Sequence, residues 1–214
     1  MPRTSTIAKQ LPVNKLSDLL KLDVALAGFT EGLTFSLCSR EDVSDKLNRP
    51  NGLLEAVAIG NPKTAEFQIA RTTLLPGLLK TIANNKNMAL PLKLFELSDV
   101  VLKDATKDVG AKNERRLCAV NCGKTPGFEV IHGLLDRVMQ VLEVKPTTDK
   151  QNKPEEGYHI RKGSDAAMFP GRSAEVVYKG KVIGIMGVIH PDVLTKFEIV
   201  NPCAAMEINV EHFL

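Results

Sequence analysis

Two long β-like runs, Leu92–Leu102 and Arg115–Cys122, most constrain what this chain can fold into. The polar segment between them, Lys103–Glu114, is too long for a tight hairpin turn. Shorter apolar runs at Leu33–Leu37, Val57–Ile59, Tyr158–Arg161, Ala174–Tyr178, Val182–Val188 and Ala204–Val210 also predict strands, with Lys179-Gly180 joining two of them. Helical patterns fall among these strands without strict strand–helix–strand alternation. That order favours an α+β domain, an antiparallel sheet flanked by helices. A chain of 214 residues supports one sizeable core or at most two small ones. Neither an internal repeat nor a strong linker divides it.

Gly127–Val144 is the clearest amphipathic helix, with Val130, Ile131, Leu134, Leu135, Val138 and Leu142 on one side. Further helices are predicted from Ser39 as a cap, from Thr72-Thr73 with Pro76 to about Lys86, and from Pro191. Asn61-Pro62 reads as a turn and the polar stretch Lys145–Gly157 as a loop. Near the N-terminus, Asn14 is placed to cap a helix over Lys15–Ala27, with Leu16, Leu19, Leu20 and Ala27 at helical spacing and Gly28 as the stop. Leu22, Val24 and Leu26 widen its apolar side to roughly half the circumference, beyond the ~100° that a one-sided surface helix needs. Two readings stand: a helix buried in its own core, or one facing its sheet on one side and a partner on the other.

Net charge is +3, and the basic residues Lys46/Arg49, Arg115/Arg116, Arg161/Lys162 and Lys179/Lys181 are interleaved with acids. A dedicated nucleic-acid binder carries a denser stripe. The four cysteines, Cys38, Cys118, Cys122 and Cys203, form no C-x-x-C pair and read as free buried thiols of a reducing compartment. Cys118 and Cys122, four apart in a strand, share a face. The longest apolar run, Val182–Ile189, is too short to span a bilayer, so the chain reads as soluble and cytoplasmic.

Searches for chemistry return little. The chain lacks a phosphate-binding glycine loop, a dinucleotide fingerprint, a zinc-protease helix and a nucleophile elbow. His132, His159, His190 and His212 are far apart and offer no ligand pair at helical spacing. His190 precedes Pro191-Asp192 at a helix start, where a structural turn is the ordinary role. His132 and Asp136 lie one turn apart, as a surface hydrogen bond or a catalytic dyad. Arg71, just before Thr72–Gly77, either binds an anion beside a helix N-terminus or pairs with an acid such as Glu66 or Glu96.

Gly28-Phe29-Thr30-Glu31, after an apolar helix and before a strand, resembles the first signature of class II aminoacyl-tRNA synthetases. Three longer blocks, Asn61–Asn85, Leu92–Asp104 and Phe169–Leu194, resemble the β subunit of phenylalanyl-tRNA synthetase of the cytosolic eukaryotic or archaeal kind. The resemblance runs from about Leu11 to Leu214. It implies a catalytic-like module over residues 13–214 with a class II synthetase-like core, and over residues 1–12 the exit from a missing upstream domain.

The resemblance also implies that this module does not catalyse. An active class II site places an arginine at the end of the second signature's first strand, where it bridges phosphate and carboxylate. At the matching end this chain has Lys103-Asp104, a lysine without the bidentate fork beside an acid that repels triphosphate. The third signature's glycines and adenine-stacking arginine are missing from Ala205–Glu211, where Met206 and Glu207 are expected to crowd and repel a nucleotide. The usual proline of the first signature is also missing, since Leu33-Thr34-Phe35 follows Gly32. No catalytic, cofactor-binding or metal residue is therefore expected here, and ATP and magnesium are expected only elsewhere in the holoenzyme.

The partners implied are the α subunit and a second β subunit in an (αβ)2 heterotetramer, with tRNA reached only through the holoenzyme and no membrane. Leu16, Leu19, Leu20, Leu22 and Leu26 are the expected partner interface. The alternative is a free-standing RNA- or ligand-binding domain derived from the same fold. Whether Arg71 and Arg172 touch tRNA or only acidic neighbours stays open.

Overall fold

The computed structural model describes residues 9–147 and 157–214. The expected domain exit over residues 1–12 and the loop over Lys145–Gly157 fall largely outside the described residues. In chain order the elements are α1 (Pro12–Leu26), β1 (Thr30–Glu31), β2 (Leu37–Cys38), α2 (Arg40–Val43), β3 (Ile69–Ala70), α3 (Leu75–Asn84), β4 (Leu92–Lys103) and β5 (Ala111–Cys122). Then follow α4 (Phe128–Val141), β6 (Lys145–Pro146), β7 (Gly157–Lys162), β8 (Met168–Tyr178), β9 (Lys181–Ile189), α5 (Pro191–Lys196) and β10 (Cys203–Asn209).

Among the described residues, eight strands form one sheet in the order β1-β4-β5-β10-β9-β8-β7-β6. Its interior pairings are antiparallel, and only the short end strands β1 and β6 run parallel to their neighbours. The α+β class with a mostly antiparallel sheet is thus the one expected. β4 and β5 pair continuously from Leu92↔Cys122 to Lys103↔Ala111. Their connection is shorter than the sequence suggested, because Lys103 and Ala111–Glu114 continue the ladder despite their polarity. Edge-on side chains of a half-exposed strand tolerate charge, so polarity alone did not end the strand.

Side chains alternate between the two faces of the sheet, and both faces are covered. On the first, Phe95, Leu97, Leu117, Ala119, Met206 and Ile208 meet Leu20 and Val24 of α1 and the apolar side of α4. On the second, Val100, Cys118, Val120, Cys122 and Ala205 pack under Leu75, Leu78, Leu79 and Ile82 of α3 and under Val193 and Leu194 of α5. Each fully buried leucine or isoleucine contributes about 2 kcal/mol. Among the described residues no helix is long and apolar enough to cross a membrane.

Several local expectations are corrected. Asn14 does not cap α1: the helix starts at Pro12, whose fixed φ suits the first turn, and Leu11 precedes it without a side-chain cap. The Asn14 side chain instead accepts from Arg115 Nη2 at 3.4 Å. Gly28 does end the helix, at φ 89, a left-handed conformation that costs glycine little.

Of the strand expected at Leu33–Leu37, only Leu37 is strand, opening β2 against Ala70. Gly32 N–H bonds the Phe95 carbonyl at 2.7 Å, after which the chain leaves the sheet edge and turns Leu33 and Phe35 outward, about 80% exposed each. Alternation there reflects exposure rather than pairing. Val57–Ile59 makes a single bridge, Ala58 to Ile69, instead of a strand. Ser39 caps α2 as expected, in a reciprocal box with Asp42, although the helix is only one turn.

Candidate functional site

A cleft of about 410 Å³ opens on the second face of the sheet, between β5, β9 and β10 and the loops holding Arg49, Thr73 and Asp165. It is built from alternation. Glu114 and Arg116 are two apart on β5 and so share a face, and Asn209 of β10 stands opposite Arg116. Glu207, two residues earlier on β10, lies diagonal to Arg116 and reaches its guanidinium.

Every charge in the cleft is spent inside the chain. Arg116 Nη1 donates to Glu207 at 2.9 Å and to the Thr72 carbonyl at 3.3 Å. Its Nε and Nη2 both lie 2.8 Å from Glu114. The other oxygen of Glu207 accepts from the Thr73 hydroxyl and from Leu74 N–H, at 2.5 and 3.1 Å. Arg49 forks onto Asp165 through Nε at 3.2 Å and Nη2 at 2.9 Å. Burial would raise the Glu207 carboxyl, but the Arg116 charge and the hydrogen bonds from Thr73 and Arg116 outweigh it and hold it below the usual value. Burial would likewise lower the Arg116 guanidinium, and the charges of Glu207 and Glu114 raise it instead.

A nucleotide triphosphate does not fit these residues. It would meet the carboxylates of Glu114, Asp165 and Glu207, while both arginines already hold forked or shared bonds to acids. Lys103 and Asp104, at the strand end where an arginine would serve, are surface residues. Asp104 accepts from the Thr106 hydroxyl and backbone N–H rather than facing the cleft. Glu207 does face the cleft, on the side of β10 that carries Ala205 and Asn209. Met206 does not: it is fully buried on the opposite face of the sheet, beneath α1 and α4, because neighbouring strand residues point to opposite sides. Among the described residues no cluster of three metal-ligating side chains occurs.

The remaining candidate residues separate clearly. Arg71 is buried and pairs with Glu96 at 2.8 Å, donates to the Asp99 carbonyl at 3.0 Å and reaches the Thr34 hydroxyl, whereas Glu66 is exposed and not its partner. Arg172 is exposed on β8. His132 and Asp136 lie 3.5 Å apart on the surface of α4, with Asp136 also accepting from Tyr158. His190 caps α5, its Nδ1 accepting from Asp192 N–H at 3.1 Å. All four cysteines are free and buried, with Cys118 and Cys122 on one face.

The five leucines of the expected partner interface divide by helix face. Leu20 is fully buried and Leu16 packs partly against the same core, so Leu20, expected at the interface, is a core residue of this chain. Leu19, Leu22 and Leu26 are 54%, 61% and 75% exposed and form a continuous stripe at spacings of three and four. The Arg116, Glu114, Arg49 and Asp165 network was missed. The i, i+2 pairing of Glu114 with Arg116 was its one visible trace, and their partners come from distant segments.

The family described as phenylalanyl tRNA synthetase beta chain CLM domain matches residues 1–210. A phenylalanine–tRNA ligase beta subunit of Mus musculus is 62% identical over the whole chain, which covers 36% of that relative. One of Arabidopsis thaliana, named as cytoplasmic, is 42% identical over 96% of the chain and 35% of its own length. The chain thus spans about a third of the curated relatives it matches. Its fold is similar to a solved pyrrolysyl tRNA synthetase of Desulfitobacterium hafniense, with a TM-score of 0.74 at 12% identity, covering 97% of this chain and 69% of that one. The sheet order, the class II-like fold and the near-complete family match agree, and the chain belongs to the phenylalanyl-tRNA synthetase beta chain CLM-domain family.

Proposed function

We propose that this chain is a non-catalytic structural module of phenylalanine–tRNA ligase. It seats a catalytic α subunit, in an assembly that also includes a second β subunit and charges tRNA with phenylalanine. The observation that carries this reading is the internal neutralisation of the cleft. Glu207, Arg116 and Glu114 satisfy one another, so the cleft offers no free cationic fork to a triphosphate. ATP and magnesium then act outside this chain, and tRNA is reached only through the holoenzyme.

The stripe of Leu19, Leu22 and Leu26 supports the partner role. A leucine that passes from exposed to fully buried on assembly contributes about 1.5–3 kcal/mol before the costs of association. Leu33 and Phe35, just beyond β1, add apolar surface after the same helix. The cytoplasmic name of the Arabidopsis relative supports a cytoplasmic location.

Co-expression with the α subunit, followed by size-exclusion chromatography with light scattering, tests the scaffold. Two copies of each chain are expected in one particle, and separate elution would contradict the reading. Titration calorimetry with ATP or a phenylalanyl-adenylate analogue tests the cleft, where no micromolar binding to this chain is expected.

A further inference from the structure

Cys122 and Cys203 stand directly opposite one another on the antiparallel strands β5 and β10. The hydrogen bond just beyond them, from Gly123 N–H to the Pro202 carbonyl at 3.2 Å, marks the facing cysteines as a non-hydrogen-bonded pair. In such a pair the Cα atoms lie about 4.5 Å apart and the side chains approach most closely. That spacing falls within the range a disulfide spans. Both side chains are buried on the second face of the sheet, at 1% and 0% exposure, in contact with apolar neighbours.

Cys122, though buried, borders a pocket. It forms part of the wall of a cavity of about 140 Å³, together with Ile82, Lys86, Leu90, Leu92 and Val200. Leu90 and Val200 are exposed at its rim. The cavity has room for a peroxide molecule. By contrast, Cys38 belongs to a separate small cluster around α2, and Cys118 stands opposite Glu207 in the register.

We propose that Cys122 and Cys203 form a reversible dithiol–disulfide site, oxidised by hydrogen peroxide and restored by a dithiol reductant. The two thiols have different parts. Cys203 can give its S–H to Cys122 or to the Asn201 carbonyl, 3.4 Å away. A hydrogen bond from Cys203 lowers the Cys122 thiol against the effect of burial, while that same bond and burial raise Cys203. Cys122, which borders the cavity, is the attacking thiol, and Cys203, facing it across the two strands, is the resolving thiol.

The chemistry balances. The Cys122 sulfur attacks one peroxide oxygen, an S–O bond forms, the O–O bond breaks, and the departing hydroxide takes up the thiol proton as water. The Cys203 sulfur then attacks the Cys122 sulfur; the S–S bond forms, the S–O bond breaks, and the Cys203 proton leaves with the second water. Two thiols lose two electrons to one peroxide. The bond ties together the two strands that carry Arg116 and Glu207.

The test uses the intact protein that carries this chain, purified under reducing conditions. It is exposed to graded hydrogen peroxide, alkylated, digested and mapped by mass spectrometry. The expected product is one cross-linked peptide pair joining Cys122 to Cys203, two hydrogens lighter than its parts and lost on dithiothreitol treatment. With Cys203→Ser, a dimedone adduct should accumulate on Cys122; with Cys122→Ser, neither cross-link nor adduct should appear on Cys203. Recovery of both cysteines as alkylated free thiols, at peroxide levels that oxidise Cys38 or Cys118, would overturn the proposal. The wild-type map alone decides this if either variant fails to fold.

Discussion

Glu207, on the last strand, accepts the backbone N–H of Leu74 at 3.1 Å and so caps the helix α3 from across the sheet. Leu74 precedes the helix and has no side-chain oxygen to satisfy the open N–H groups of its first turn. A carboxylate at that end also complements the helix dipole. Glu207 is therefore a structural anchor, held by Arg116 on its other oxygen.

Glu207→Ala should cost about 3–5 kcal/mol, the usual penalty for removing one member of a buried pair. Loss of the α3 cap accounts for about 1 kcal/mol of that. Urea unfolding followed by circular dichroism checks the total. Arg116→Met should cost less than Arg116→Ala, because the flexible side chain refills part of the space.

Two carboxyls predict the acid limb of stability. Burial raises Asp42, but bonds from Lys80, Ser39 and Lys46 outweigh it and leave the group below its ordinary 3.8. Glu207 lies below its ordinary 4.5 for the reasons given above. A group lowered in the folded state stabilises the fold above its unfolded value and loses that contribution as pH falls through the folded value. Melting temperature should therefore hold steady from about pH 7 to 5 and drop below about pH 4. Glu207→Gln should start lower and fall less steeply across the same acid range.

The sheet and its helices were largely legible because their signals are local. Strand alternation marked β4, β5, β9 and β10, and apolar spacing marked α4. Pairings that cross the sheet were not legible. Nothing near Arg116 announces Glu207, because β5 and β10 become neighbours only through the strand order. The face of Met206 was misjudged since one residue of register decides which side of a strand meets the cleft. Leu33–Leu37 misled for a related reason: its alternation is real, but the chain has already left the sheet edge.

The two faces of α1 predict different outcomes on substitution, because Leu20 is buried while Leu19 and Leu22 are exposed. Leu20→Ala should cost about 2–5 kcal/mol, since it opens a cavity in the first-face core. Leu19→Ser or Leu22→Ser should change stability by no more than about 0.5 kcal/mol in the isolated chain. Thermal melting of each variant gives the comparison.

Close approach of strands makes Gly184 sensitive. A Cβ there would lie 2.2 Å from the Glu207 carbonyl oxygen and 2.7 Å from the Ile208 Cα. Gly184→Ala should destabilise by about 1–3 kcal/mol through a forced backbone shift, read by urea unfolding.

The central claim, that this module serves by holding a catalytic partner, is tested most directly on the exposed face of α1. Leu19, Leu22 and Leu26 are replaced together by aspartate in the intact β subunit, which is co-expressed with α and sized by light scattering. The account predicts that the variant melts like the wild type yet no longer forms the particle containing both chains. A triple variant that assembles with α as completely as the wild type would contradict it.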